Sequence, residues 1–175
     1  PRETRPVTAA FFLFFFMWAG YFAVRPVRET IALNFIGPEN VADLWIYTAL
    51  FSILIVPVYG SIVARFRRSV FLPAIYGFVA LLLAFVGVAM QSGDMKPALG
   101  RIFYVFISVV NLMLLSMFWS FLLELFDKAQ TKRLFGFIAA GGSAGALTGP
   151  SISDMTVSSI GIGGVLFVGA AMFIV

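Results

Sequence analysis

The sequence predicts an all-α membrane protein, a bundle of six transmembrane helices, and three observations support this. The 175-residue chain is 61% hydrophobic and only 11% charged, with a mean hydropathy of +1.02. An ordinary soluble domain is about 25% charged, and this chain has too few polar residues to cover a water-exposed surface. The charges that are present leave six long charge-free runs between them.

The charge-free runs give the predicted helices in chain order. They contain 19, 21, 25, 22, 20 and 21 residues and cover 6–24, 44–64, 69–93, 102–123, 134–153 and 155–175. A helix of about 20 residues crosses the roughly 30 Å hydrocarbon core of a bilayer. The run 134–153 is rich in Gly and Ala and is the least typical of the six.

The distribution of Lys and Arg predicts the orientation of these helices. With six spans, the side of the N-terminus carries eight basic residues: Arg2, Arg5, Arg65, Arg67, Arg68, Lys128, Lys132 and Arg133. The opposite side carries four: Arg25, Arg28, Lys96 and Arg101. We therefore expect an integral protein of a bacterial-type inner membrane with its N-terminus in the cytoplasm. The net charge of +4 then reflects topology rather than nucleic-acid binding.

Two residue types are missing, and their absence narrows the function classes. The chain has no Cys and no His, which excludes a disulfide scaffold and disfavours a zinc site or a His-based catalytic triad. We expect no metal, no cofactor and no enzymatic activity. The chain begins at Pro1 and ends at Val175 within an apolar run, so residues 1–175 are interpreted as one part of a longer protein.

One stripe in the first helix predicts a binding site for an anion. Aromatic and basic residues recur at i, i+3, i+7 and i+10 and so share a helical face: Trp18, Tyr21, Arg25 and Arg28. A charge at membrane depth is costly and usually faces a watery cavity, and a guanidinium binds phosphate or carboxylate bidentately. Glu29, four residues after Arg25, is placed to hold that guanidinium. The alternative is an aromatic belt with arginines at the membrane surface.

Glycines in the fifth run predict close helix packing. Gly141, Gly145 and Gly149 recur every fourth residue, followed by Pro150. Such a stripe lets two membrane helices approach closely. A glycine-rich phosphate loop is disfavoured because no Lys follows these glycines.

Polar residues near the fourth run give weaker candidates. Asn111 lies near mid-depth, as a cavity residue or as a hydrogen-bonding contact between helices. A second set shares one face: Ser116, Ser120 and Glu124. Asp127 with Lys132 and Arg133 forms a predicted group of surface or gate charges, the alternative being simple solvation.

Taken together, these features resemble the N-terminal half of a major facilitator superfamily transporter. Residues 60–68 (GSIVARFRR) are similar to its cytoplasmic motif G-x-x-x-D-R-x-G-R-R, with Ala64 in place of the Asp and Arg67 in place of the second Gly. The matching positions are Gly60, Arg65 and Arg68. Residues 145–150 resemble the G-x-x-x-G-P motif of the superfamily's fifth helix. The proline of that motif corresponds to Pro150.

Longer segments resemble the nucleotide (ATP/ADP or NTP/NDP) exchange transporters of bacteria and plastids. They are YFAVRPVRET at 21–30, VFLP at 70–73 and the segment 119–150. GYFAVR and RRSVFLP also resemble the organophosphate:phosphate antiporters, in which the Arg at the position of Arg25 binds substrate phosphate in the central cavity. In the nucleotide exchangers a basic residue at the position of Arg28 lies in the translocation path. Their fourth helix contains an acidic residue, whereas residues 103–123 contain none.

The resemblance implies a secondary transporter that exchanges an organic anion, such as a nucleotide or phosphate ester, by alternating access. It implies two inverted three-helix repeats in a lipid bilayer, completed by a C-terminal half of the same transporter. Arg25 and Arg28 would bind the anion, with Trp18 and Tyr21 along its path. Two alternatives stay open: a proton-coupled exporter of drugs or metabolites, and a non-transporting scaffold or paralogue.

Overall fold

The computed structural model describes residues 4–65, 68–126 and 128–174. Within these ranges the secondary structure is helical, with no strand. The long helices are α1 (Thr4–Ile31), α2 (Val41–Arg65), α3 (Arg68–Gln91), α4 (Pro97–Leu125) and α5 (Lys128–Ile174). All five are long and apolar enough to cross a membrane. The predicted all-α class is therefore confirmed, and the lengths and composition of the helices fit a membrane protein.

Helix α1 continues past the charge-free run that predicts it, through Arg25 to Ile31. A π-helical turn (Ala32–Ile36) and a short 3-10 helix (Pro38–Asn40) then lead into α2. Gly37 joins these two pieces with a φ of 96°, a conformation that side chains other than glycine rarely adopt. Two arginines counted as flanking charges thus belong to the helix itself.

An apolar group, here called the outer cluster, lies where α1 passes into α2. Its buried members are Ala32, Ile36, Leu44 and Tyr104. They come from the π-helical turn, from α2 and from α4, so the cluster fixes three elements to one another at this end of the bundle.

Helix α5 differs from the prediction because it contains both of the last two predicted spans. It is 47 residues long, and its only described non-helical residue is Gly161, with φ 77° and ψ 178°. The sequence placed the boundary at Asp154, which is helical and exposed. A single charge does not end a helix, whereas a positive φ interrupts it at glycine. We call residues 128–160 the first arm of α5 and residues 162–174 the second arm.

The first arm packs parallel to α1 through the predicted glycine stripe. Gly141, Gly145 and Gly149 are all buried. Their nearest α1 backbone atoms are the carbonyl oxygens of Phe11, Phe15 and Ala19, in that order. A Cβ on Gly149 would lie 2.7 Å from the Ala19 oxygen, so only glycine allows this separation of the two backbones.

The second arm packs against α1 in the opposite direction. Met172 lies beside Gly20, whereas Gly169 lies beside Val24, one turn further along α1. Because the first arm runs parallel to α1 and the second antiparallel, the chain reverses at Gly161.

Helix α1 lies at the centre of the bundle. It contacts α4 and both arms of α5, and it meets α3 where the Tyr76 hydroxyl donates to Met17 Sδ. The Phe14 ring stacks on Phe118 of α4 with centroids 4.0 Å apart and planes 8° apart. Further along, Arg28 of α1 meets Ser108 of α4, so α1 and α4 are antiparallel. Such dispersion contacts, rather than the release of water, hold helices together in lipid.

Helix α2 lies at the edge of the bundle and packs mainly against α4. Many of its large apolar side chains are exposed, including Trp45, Leu50, Ile53 and Leu54. In water such a surface would be a liability, whereas in a bilayer it faces hydrocarbon tails.

Replacing Gly145 with Ala is expected to destabilise the protein by about 1–3 kcal/mol, because the new methyl group would overlap the Phe15 carbonyl. Gly136→Ala in the same arm is the matched control, since a Cβ there meets nothing within 4 Å. Thermal unfolding in detergent measures both variants. Equal melting temperatures for the two would show that the close approach does not contribute to stability.

Candidate functional site

Arg28, near the end of α1, points into the bundle and meets α4. Its Nη1 donates a hydrogen bond to Ser108 Oγ at 3.0 Å, and its Cζ lies 4.9 Å from the centre of the Tyr104 ring. The side chain is 12% exposed. Ser108 is eleven residues into α4, about 16 Å along the helix axis, so the guanidinium lies well inside the bundle.

The hydroxyl of Ser108 is oriented so that its oxygen can accept the hydrogen bond from Arg28. Its hydroxyl donates to the Tyr104 carbonyl at 2.7 Å, within α4. A serine has one hydroxyl hydrogen and two acceptor lone pairs, so the oxygen remains available to Arg28. One turn of α4 thus supplies both a hydrogen-bond acceptor and an aromatic face to one guanidinium.

Glu29 pairs with Arg28 and not, as the sequence predicts, with Arg25. Arg28 Nη2 donates to Glu29 Oε1. The Glu29 side chain is 46% exposed, so the pair has one inner and one outer member. Arg28 Nε is buried and has no hydrogen-bond partner among the described residues.

Arg25 has different surroundings from Arg28. It is exposed, and its Cζ lies 5.8 Å from the centre of the Phe22 ring on the same helix. Tyr21, in contrast, is buried within electrostatic and hydrogen-bonding reach of Arg28. The structure therefore brings Tyr21, Glu29 and Arg28 together and leaves Arg25 on the open side of α1.

Trp18, the remaining member of the predicted stripe, lines an aromatic cleft between α1, α4 and the first arm of α5. The cleft has a volume of about 340 Å³. Its lining side chains are mainly aromatic or small: Phe14, Trp18, Phe22, Trp119, Ala139, Gly142, Ser143 and Ala146. Phe22 also lies under Arg25, so the cleft and a cation adjoin on α1.

Small residues keep the aromatic cleft open on the side of α5. A Cβ on Gly142 would overlap the Phe14 ring and would lie 2.9 Å from Trp18 Cδ1. On the side of α4, the Trp119 ring stacks on Phe135 with the ring centroids 4.8 Å apart. These contacts fix the aromatic walls in place.

The sequence contained a signal for part of this cleft that the prediction missed. Phe14, Trp18 and Phe22 recur at i, i+4 and i+8, which places them on one helical face. Trp119 and Ser108 carried no comparable signal, because their proximity to α1 depends on how α4 packs.

The other predicted polar residues of α4 differ in how far they are buried. Asn111 is half-buried on α4, three residues beyond Ser108 and so on the same side of the helix, about one turn further along. Ser116 is exposed and Ser120 half-buried. The side chain of Glu124 lies outside the description, as does the whole of Asp127.

The predicted cytoplasmic motif lies at the opposite end of the bundle from Arg28. Gly60 and Arg65 are exposed, and a Cβ on Gly60 would meet nothing within 4 Å. Arg133, near the start of α5, is exposed. The side chain of Arg68 lies outside the described residues. Pro150, within the first arm, is exposed.

A larger cavity of about 530 Å³ lies between α1, α3, α4 and the second arm. Its walls are apolar apart from the Tyr76 hydroxyl, which donates to Met17 Sδ at 3.5 Å. Among the described residues no charged side chain lines it, so its chemistry does not match that of an anion site.

Comparison of the chain with protein-family models, curated proteins and solved structures finds no match in any of the three. Function is therefore inferred from the surroundings of Arg28 and from the aromatic cleft.

Ser108→Ala is expected to lower the free energy of unfolding by about 1.5–3 kcal/mol, because Arg28 loses an acceptor inside the bundle. Ser159→Ala is the matched control, since Ser159 is exposed and bonds only the Met155 carbonyl of its own helix. Thermal melting in detergent gives both values. A Ser108 variant as stable as the Ser159 variant would remove Ser108 from the site.

Proposed function

We propose that this chain is the six-helix N-terminal half of a major facilitator-type secondary transporter that exchanges a small organic anion by alternating access. The substrate class is a nucleotide or another phosphate ester. The membrane is a bacterial-type inner membrane with the N-terminus in the cytoplasm, and a C-terminal half completes the path. The observation that carries the proposal is the guanidinium of Arg28, held inside a bundle of apolar helices, whose Nε has no partner in the part of the chain that the structure describes.

A buried arginine is a poor choice for stability alone. Cations at membrane depth cost several kcal/mol and mark solute pathways far more often than packing sites. Arg28 contacts the Ser108 hydroxyl, the Tyr104 ring and the half-exposed Glu29 carboxylate, and it lies within hydrogen-bonding reach of Tyr21. Its Nε still has no partner among the described residues. An oxyanion such as phosphate matches the unused donors.

The aromatic cleft supports a substrate that also carries a ring. Trp18 lies about 15 Å from Arg28 along the axis of α1 and about 10 Å from Arg25. Bases and other flat rings stack on Trp and Phe side chains, gaining roughly 1–3 kcal/mol per base. A molecule with a ring at one end and phosphate at the other fits this order of side chains, with Phe22 and Arg25 between the two ends.

The arrangement of the helices supports alternating access in a protein with a second half. Because the chain reverses at Gly161, α5 supplies two antiparallel arms, which together with α1–α4 give six segments. Transporters of this type bind solute near mid-membrane between repeats. The exposed edges of the bundle leave room for the remaining half.

The two alternatives fit the observations less well. A proton-coupled exporter needs an acid that titrates within the helices, and Glu29 is engaged with Arg28, while Ala64 replaces the motif's Asp. A cationic or neutral substrate gains nothing beside this guanidinium. A scaffold needs no such site, and tracer flux distinguishes it because a scaffold produces none.

Arg28→Gln in the full-length transporter is expected to reduce exchange of labelled ADP and labelled phosphate in proteoliposomes by at least about tenfold, since a charged hydrogen-bond donor is lost. Arg25→Gln is expected to reduce it as well. Arg5→Gln, exposed on the first turn of α1, is the matched control. Normal exchange by Arg28→Gln would refute this site, and absence of exchange by the unaltered protein would favour a scaffold.

Binding of ADP is expected to quench the fluorescence of Trp18 and Trp119, because both line the aromatic cleft. Trp45, 66% exposed on α2, should not respond. A Trp45→Phe variant should therefore keep the full quench and a Trp119→Phe variant should lose part of it. Ribose 5-phosphate, which has no aromatic ring, should quench less than ADP. Equal responses to both compounds would contradict ring stacking in the cleft.

A further inference from the structure

The ion pair between Arg28 and Glu29 is not imposed by helix geometry. Adjacent residues on a helix point about 100° apart and do not face each other, yet Glu29 Oε1 accepts from Arg28 Nη2. Arg28 is 12% exposed and Glu29 is 46% exposed. The half-exposed Glu29 thus extends toward the buried guanidinium. If it moves away, its carboxylate returns to the exposed side and is not buried without a partner.

The pair also uses the guanidinium incompletely. Nε and Nη2 form one edge of the planar group, on which a carboxylate or phosphate binds with two parallel hydrogen bonds. Glu29 engages Nη2 alone, and Nε has no partner in the described part of the chain. Nη1, on the other side, is held by Ser108 at 3.0 Å. A free oxyanion can satisfy both donors of the edge, which Glu29 does not do.

We propose that Glu29 is an internal competitor for the anion site: in the empty protein its carboxylate binds Nη2 at the Nε–Nη2 edge of Arg28, and the phosphate group of the solute displaces it. This inference rests on the proposed anion-binding function of Arg28 and adds a specific role for its neighbour. Ser108 and Tyr104 keep the guanidinium in place during the exchange of partners. Glu29 swings toward the exposed side, where its charge is solvated.

Two consequences follow from this competition. Arg28 is never left as a lone charge inside the bundle, because one anion replaces another. In addition, only a solute with two oxygen acceptors on one group gains over Glu29, which selects phosphates and carboxylates against solutes with one acceptor.

The test measures binding of inorganic phosphate to the purified full-length protein by calorimetry. Glu29→Gln is expected to bind phosphate about tenfold more tightly than the unaltered protein, because a neutral amide competes less well than a carboxylate for the guanidinium. Glu39→Gln is the matched control, since Glu39 is exposed and accepts from Asn40, and it should leave the affinity unchanged. Glutamine retains an acceptor at a half-exposed position, so the variant is expected to fold.

A double variant separates displacement from simple charge repulsion. If Glu29 acts through Arg28, Glu29→Gln should give no gain in protein that already carries Arg28→Gln. A gain that persists there overturns the inference, as does phosphate affinity in Glu29→Gln that is equal to or weaker than normal while Arg28→Gln abolishes binding. Those outcomes leave the proposed function standing. Phosphate binding that is unaffected by Arg28→Gln, or absent from the unaltered protein, overturns both.

Discussion

The close approach of α1 to the first arm of α5 is the constraint on which the arrangement of the bundle depends. Three glycines lie against three carbonyl oxygens of α1 that are four residues apart, and no side chain separates the two backbones. In lipid, where apolar surface gains nothing by leaving the solvent, such contact is the main source of helix association. With α1 fixed there, its opposite sides face α4 and the second arm, and the direction of Arg28 and Trp18 follows.

The site therefore combines two kinds of packing. Where α1 meets α5, small residues bring the two backbones together, and the rings of Phe14 and Trp18 pack against Gly142. Where α1 meets α4, polar atoms meet at Ser108 and rings meet at Phe118. A single central helix thus presents a cation at one end of its length and rings in the middle.

Much of the helical architecture followed from the charge-free runs, because a bilayer demands long uncharged helices and Lys and Arg are scarce within them. Arg25 ends the first charge-free run but not α1, in agreement with the helical stripe that the sequence predicts through Arg28. The boundary predicted in α5 differs from the structure for a physical reason. Asp154 is exposed in mid-helix, and the actual reversal lies at Gly161, where a positive φ and not a charge decides.

From the sequence, only the part of the candidate site that lies on α1 could be predicted. Periodicity along α1 brought Tyr21 and Arg28 to a common face, and both lie near each other. The same spacing rule assigned Glu29 to Arg25, whereas the available donor was Arg28. Ser108, Tyr104 and Trp119 belong to another helix, and the register of α4 against α1 is set by packing that no single-helix pattern contains.

Tyr104 belongs at once to the outer cluster and to the surroundings of Arg28. Its side chain is buried in the same cluster as Leu44 and Ile36, and its ring lies under the Arg28 guanidinium. Because close-packed groups rarely shift individually, the packing at the junction of the first two helices restrains the ring on which the guanidinium rests. The position of Arg28 is thus tied, through one buried ring, to the place where α1 passes into α2.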